Sequence, residues 1–194
     1  MRIDILSLFP EMFGGVFGCS ITKRAIEKNI LDIQITNPRE FAFNKHNQVD
    51  DTAYGGGAGM VMKPEPLFRA VEDVKSKTQI ENSKVILMCP TGKVFTQEKA
   101  KELANFDQLI FICGHYEGFD NRVVQNLSDE ALDTMNGAVR SMSITCLKSS
   151  TDISVIGMRL MIPALLTRMS ITPSSFSMSA TMFFTCSSSV TSQI

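Results

Sequence analysis

The chain has 194 residues, enough for one good-sized core or at most two small domains, so a miniature disulfide-stapled fold is unnecessary. Its 19 Lys+Arg against 20 Asp+Glu leave a net charge of -1, which excludes the polybasic signature of bulk nucleic-acid binding; any RNA partner must be recognised locally. The 5 Cys form an odd set without CxxC spacing, which supports neither a disulfide framework nor a zinc ribbon and suits reduced, idle thiols.

Taken in chain order, Arg2–Phe9 has the aliphatic density of a strand, ended by Pro10, Gly14 and Gly15. This opening is too short and too interrupted, with Asp4 and Pro10, for a signal peptide. Ser20 is placed to cap a helix over residues 21–28, in which Ile21, Ala25 and Ile26 share a face. Leu31–Thr36 alternates as a half-buried strand does, and Asn37-Pro38 stops it. Residues 39–63 are turn-rich and polar, ending in the glycine-dense run Tyr54–Met60. Pro64 and Pro66 suit a first helical turn, followed by Leu67, Ala70, Val71 and Val74 at helical spacing.

Two apolar runs of strand length come next, Lys84–Cys89 and Gln108–Cys113, each reading as buried on both faces. Between them Thr96 opens a helix carrying Ala100, Leu103 and Ala104. Alternation at this spacing predicts an α/β layer structure with a mostly parallel sheet, since parallel strands need crossover helices. No stretch reaches the ~18 apolar residues of a membrane span, because Arg159 and Arg168 break the most apolar part, so the reading is cytoplasmic.

Composition changes near residue 130. Residues 131–194 contain 14 Ser, 8 Thr and 7 of the 12 Met, but only 4 basic and 2 acidic side chains. The chain therefore divides into a globular head, residues 1–130, and a divergent Ser/Thr/Met-rich tail, residues 131–194.

Ligands of open parallel sheets sit beyond the carboxyl ends of the strands. Two loops stand there: Cys89-Pro90-Thr91-Gly92 and Cys113-Gly114-His115-Tyr116-Glu117-Gly118. Gly92, Gly114 and Gly118 let the backbone approach a ligand, Glu117 adds a carboxylate and Tyr116 a flat apolar face. Taken singly, each glycine is more often a strand-ending turn; two such loops in succession make the two readings about even. A dinucleotide fingerprint is excluded because Met60 and Met62 occupy the third glycine position, and a P-loop because Gly59 is followed by Met60-Val61. Asp50-Asp51 read first as a solvated turn, and Lys23, Arg24 and Arg39 as a solvated basic face. With two His and no ligand cluster, no metal site is argued.

Four segments, Ser7–Phe13, Val49–Met60, Cys89–Gly92 and Cys113–Gly118, resemble in order and spacing the bacterial tRNA (guanine-N1)-methyltransferases of the TrmD type, over residues 1 to about 130. The resemblance implies a SPOUT-like α/β fold, a mostly parallel sheet with helices on both faces and a carboxyl-terminal trefoil knot. It implies S-adenosyl-L-methionine as methyl donor, held by Leu87, Cys89, Pro90, Gly92, Gly114, Tyr116, Glu117 and Gly118. Asp50, Tyr54 and Gly59 would shape the guanosine end of the site. A homodimer acting on tRNA, at N1 of the guanosine immediately 3′ of the anticodon, is implied as well.

After Ser128-Asp129-Glu130 the family's pattern gives way to Ala131–Arg140. The expected losses are the strand completing the knot, one wall of the cofactor pocket, and the segment with the family's general base. No catalytic residue is therefore assigned. Two readings follow: a methyltransferase whose tail is out of frame or otherwise replaced, and a non-catalytic remnant keeping dimer or RNA contacts.

Overall fold

The computed structural model describes residues 1–44, 46–56 and 59–133. Its main sheet holds β1 (Arg2–Leu6), β2 (Asp32–Thr36), β5 (Ser83–Val94), β6 (Gln108–Cys113) and β7 (Glu130–Asp133) in the order β2-β1-β6-β5-β7, with every pairing parallel. β3 (Asp50–Thr52) and β4 (Met60–Met62) form a separate antiparallel hairpin. The helices are α1 (Gly14–Phe17), α2 (Ser20–Glu27), α3 (Pro64–Thr78), α4 (Gln97–Leu103) and α5 (Asn121–Asn126).

Period-two alternation divides the strand side chains between two cores. Ile3, Ile5, Ile86, Met88, Leu109, Phe111 and Leu132 pack with Phe13, Phe17, Ala25, Ala100 and Leu103 from α1, α2, α4 and the turn before α1. On the other face Leu6, Val85, Leu87, Ile110 and Ile112 meet Leu67, Ala70, Val71 and Val74 of α3 and Val123 of α5. Helices thus cover both faces, as expected, and all of β6 is buried between them. Asp4 is a charge within this core; Arg2 Nε at 2.9 Å and Gln108 Nε2 at 2.7 Å both donate to its carboxylate, the pairing a buried charge requires.

Local sequence accounts for most boundaries. Pro64 and Pro66 occupy the first turn of α3, where a missing N–H costs nothing, and the Thr96 hydroxyl accepts from Lys99 N at 3.2 Å to cap α4. Ser20 is not a cap: Cys19 holds that position, and Ser20 is the first helical residue at a φ of 54°. The side chain of Asp120 caps α5 by accepting from Arg122 N at 2.9 Å, a helix that the periodicity of so short a segment had not signalled.

Two further differences concern the functional end. The segment Cys89–Gly92 is not a loop after a six-residue strand; β5 runs for 12 residues, and its register against β7 breaks between Met88 and Lys93. The head boundary expected at residue 130 falls on the first residue of β7, a parallel strand that is last in the sheet among the described residues and runs on past that boundary. Ala131-Leu132 supplies its apolar content, with Leu132 fully buried. Asp129 locks its entry: Val85 N donates to Asp129 Oδ2 at 2.7 Å and Asp129 N to Val85 O at 2.9 Å. The expected loss of the knot-completing strand and of the segment with the family's general base, read from the sequence after Glu130, falls beyond Asp133 on residues outside those described.

Candidate functional site

The carboxyl ends of β5 and β6 lie side by side, with Met88 paired to Cys113. Beyond this pair the two chains leave the ladder differently. β5 continues as a bulge over Cys89–Gly92, so its peptide groups fall outside the pairing register before Lys93 and Val94 rejoin β7. The bulge requires glycine at Gly92: a Cβ built there would stand 2.6 Å from both Ala131 C and Leu132 N. Within it the Cys89 and Thr91 side chains meet, Sγ to Oγ1, at 3.0 Å.

β6 instead turns through Gly114–Gly118. Tyr116 takes a φ of 60° and Gly118 a φ of 139°. For a tyrosine the left-handed region costs about 1 kcal/mol or more, so surrounding contacts must hold it. The β3–β4 hairpin supplies several. Glu117 N donates to Met60 O at 3.0 Å, Met62 N to Gly118 O at 2.8 Å and Asp120 N to Met62 O at 3.1 Å. Met62 also bridges Phe119 in parallel fashion. The glycine run of the hairpin is thereby stitched to the loop after β6, although 50-odd residues separate them in sequence.

This stitching brings the two expected groups of site residues together. A Cβ on Gly59, whose φ is 94°, would fall onto Cγ of Glu117. The glycine therefore makes room for that carboxylate side chain. Tyr54, at the other end of the hairpin tip, is 90 % exposed and lies within electrostatic reach of Arg122. Arg122 in turn donates to Asp120 from Nε at 2.9 Å and from its terminal nitrogen at 2.8 Å. That hydrogen bonding raises the guanidinium pKa and lowers that of Asp120.

On the opposite side of the loop, His115 stands edge-on to Phe9 at 5.1 Å between ring centroids and to Tyr116 at 4.5 Å. Phe9 belongs to the Ser7–Phe13 segment after β1, so three of the four motif segments converge here. Arg39, in the 3-10 turn Pro38–Phe41, donates to the Tyr116 hydroxyl at 3.4 Å. Burial, and secondarily the Arg39 charge, pushes the His115 pKa below 6.5. Arg39 was read as a solvated basic residue; it is instead half-buried against the loop, a contact spanning 77 residues that no local pattern announces.

Of the remaining expected residues, Gly114 faces the Phe119 ring: a Cβ built there would stand 2.9 Å from Cε2 and 3.5 Å from Met88 O. Pro90 is exposed on the bulge. Leu87 is a core residue, fully buried and paired to both Ile112 and Ala131. The pair Asp50-Asp51 is not on a solvated turn: it opens β3, with Asp50 half-buried opposite Met62, while Asp51 pairs with Lys63 at 3.6 Å. Chemically, the arrangement offers closely apposed backbone turns and an accessible carboxylate at their junction, Glu117. Such a surface can read a purine through main-chain N–H and C=O groups.

The chain is similar to known proteins in both sequence and fold. A family model described as tRNA (Guanine-1)-methyltransferase TrmD matches residues 1–141. Proteins named tRNA (guanine-N(1)-)-methyltransferase from Bacillus cereus (strain AH820) and Bacillus anthracis (strain A0248) are each 50% identical over 150 residues, which is 75% of this chain and 61% of theirs. The chain thus spans less than two thirds of the length of these curated relatives. The crystal structure of tRNA (m1G37) methyltransferase from Aquifex aeolicus superimposes with a TM-score of 0.69 at 28% identity, covering 92% of this chain and 73% of that one. With a family match reaching from Met1 past β7, this chain belongs to the TrmD family of tRNA (guanine-1)-methyltransferases.

Proposed function

We propose that the chain carries the methyl-donor and guanine-binding part of a tRNA (guanine-N1)-methyltransferase. The junction of Gly59 with Glu117 is the observation that supports this reading most directly, because it joins the hairpin to the loop after β6 as a single surface. S-adenosyl-L-methionine is the proposed donor. The residues present suit it: the bulge at Cys89–Gly92 takes peptide groups out of the sheet register, and Gly114 and Gly118 border it on the neighbouring strand end. Cys89, Pro90, Gly92, Gly114, Tyr116 and Gly118 would hold its nucleoside through backbone groups, with Leu87 supporting them from the core. When bound, the donor supplies an electrophilic methyl group on a sulfonium centre.

The chain's own residues then position the acceptor. Asp50, Tyr54 and Gly59 would border the guanosine side, and Glu117 adds a carboxylate where the hairpin meets the loop after β6. Guanine N1 carries a proton at neutral pH, so transfer needs a base as well as alignment. That base is assigned to no described residue. The partners of this reading are tRNA with G immediately 3′ of its anticodon and a second copy of the chain, in the cytoplasm; no helix among the described residues is long and apolar enough to cross a membrane.

Two measurements on the full chain test the proposal: calorimetric binding of S-adenosyl-L-methionine, and methyl transfer to unmodified tRNA of that class. Binding with micromolar affinity is expected, together with N1-methylguanosine in the product digest. A folded chain that binds no donor and transfers no methyl group refutes it.

A further inference from the structure

Tyr116 is the non-glycine residue of the loop after β6 with a left-handed backbone, and its ring is held at two points. His115 meets it edge-on at 4.5 Å, and the Arg39 guanidinium donates to its hydroxyl at 3.4 Å. Arg39 itself is well fixed. Asn37 Oδ1 accepts from Arg39 N at 3.0 Å, Arg39 O accepts from Ala42 N at 3.2 Å, and Pro38 beside it is buried. A short, proline-initiated turn thus presents one cation to one phenol across the end of the sheet.

We propose that Arg39 is a positioning residue for the site: by holding the Tyr116 hydroxyl it fixes the turn His115–Gly118, and with it the Glu117 amide that bonds to Met60 O. The inference rests on the methyltransferase reading only for what the turn binds. Without Arg39, the left-handed Tyr116 loses a restraint, and local opening of the turn becomes easier. The hairpin and the loop after β6 would then separate more often, loosening Glu117 from Gly59. The charge of Arg39 also reaches His115, lowering its pKa alongside burial, so the same side chain has a spectroscopic reporter next to it.

The test uses the full chain with Arg39→Met, Tyr116→Phe and the double variant. Amide exchange at Glu117 is expected to quicken about five- to tenfold in each single variant, the scale of one long charge-assisted hydrogen bond, with no further gain in the double variant. Amides of β1 and β6 should exchange as before, which separates loosening of the turn from general unfolding. In the NMR spectrum, His115 should titrate at higher pH in Arg39→Met than in the parent chain. Affinity for S-adenosyl-L-methionine should fall in parallel with the exchange effect. Unchanged Glu117 exchange in Arg39→Met, additive effects in the double variant, or an unmoved His115 titration each overturn the proposal. If the parent chain binds no donor, the methyltransferase reading fails, and the exchange and histidine measurements still decide the role of Arg39.

Discussion

Gly92 faces the peptide bond between Ala131 and Leu132 at a distance that excludes any side chain, since a Cβ would stand 2.6 Å from Ala131 C and Leu132 N. The obstacle is backbone on both sides, not the tip of a flexible side chain. Gly92→Ala should therefore push β7 off β5 and destabilise the chain by about 2 kcal/mol, in the range of overpacking changes. Urea denaturation of the two proteins measures this. A loss below about 0.5 kcal/mol, the range of surface substitutions, would show that β7 yields without cost.

β7 is also tied down by charge. Glu130 accepts from Lys84 at 2.9 Å and from Lys99 at 3.0 Å, and lies 3.6 Å from Lys93. Burial opposes its ionisation, but the hydrogen bonds from Lys84 and Lys99 outweigh this and pull its pKa down to about 2 from 4.5. The folded state therefore binds fewer protons than the unfolded state between those values. The resulting stability is fully present above pH 4.5 and is lost as pH falls toward 2. Glu130→Gln should remove up to about 3 kcal/mol at neutral pH and flatten this acid limb. Denaturation midpoints measured from pH 6 down to about 3 check both; an acid limb identical to the parent's counts against the ion cluster.

His115 works in the same direction at a higher pH. Burial and then Arg39 depress its pKa below the 6.5 of a free imidazole. Just below pH 6.5 the unfolded chain takes up the proton first, so stability should decline as pH falls through that window. In His115→Phe, which keeps an edge-on ring against Phe9, the decline between pH 6.5 and 5 should shrink. Thermal unfolding at half-unit pH steps reads it, and an unaltered slope rejects the assignment.

Gly59→Ala adds a methyl group against Glu117 at a residue whose φ is 94°. The side chain of Glu117 can swing aside, so the main cost is backbone conformation, about 1 kcal/mol. The sharper expectation concerns coupling. Gly59→Ala should weaken donor or guanine binding in the parent but much less in Glu117→Ala, giving a non-additive double-mutant cycle. Additive effects would mean that the two residues do not share one surface.

How far the sequence disclosed this site depended on the range of each interaction. β6 and α3 are legible because burial on both faces and helical spacing are local patterns, and Gln108–Cys113 and Pro64–Thr78 display them without interruption. The motif segments pointed to Gly59 and Glu117 separately, yet nothing in either segment says that the two touch. The β3–β4 hairpin was missed because Asp50-Asp51-Thr52 has no apolar alternation and pairs with β4, whose Met62 is held by backbone bonds with Gly118 and Asp120. β7 was missed because composition changes at the point where the strand starts, while its register is set by Val85, Ile86 and Leu87, some 44 residues earlier. Arg39 was misread for the same reason: its partner lies 77 residues away.

The strand order has a kinetic consequence. β6 is inserted between β1 and β5, both of which precede it in the chain, and the Asp4–Gln108 contact that closes the sheet joins residues 104 apart. During synthesis β1 and β5 therefore cannot complete the sheet by pairing with each other, and must wait with apolar faces incompletely covered until β6 leaves the ribosome. The same insertion that sets the carboxyl ends of β5 and β6 side by side makes the first hundred or so residues of the nascent chain its most aggregation-prone stage.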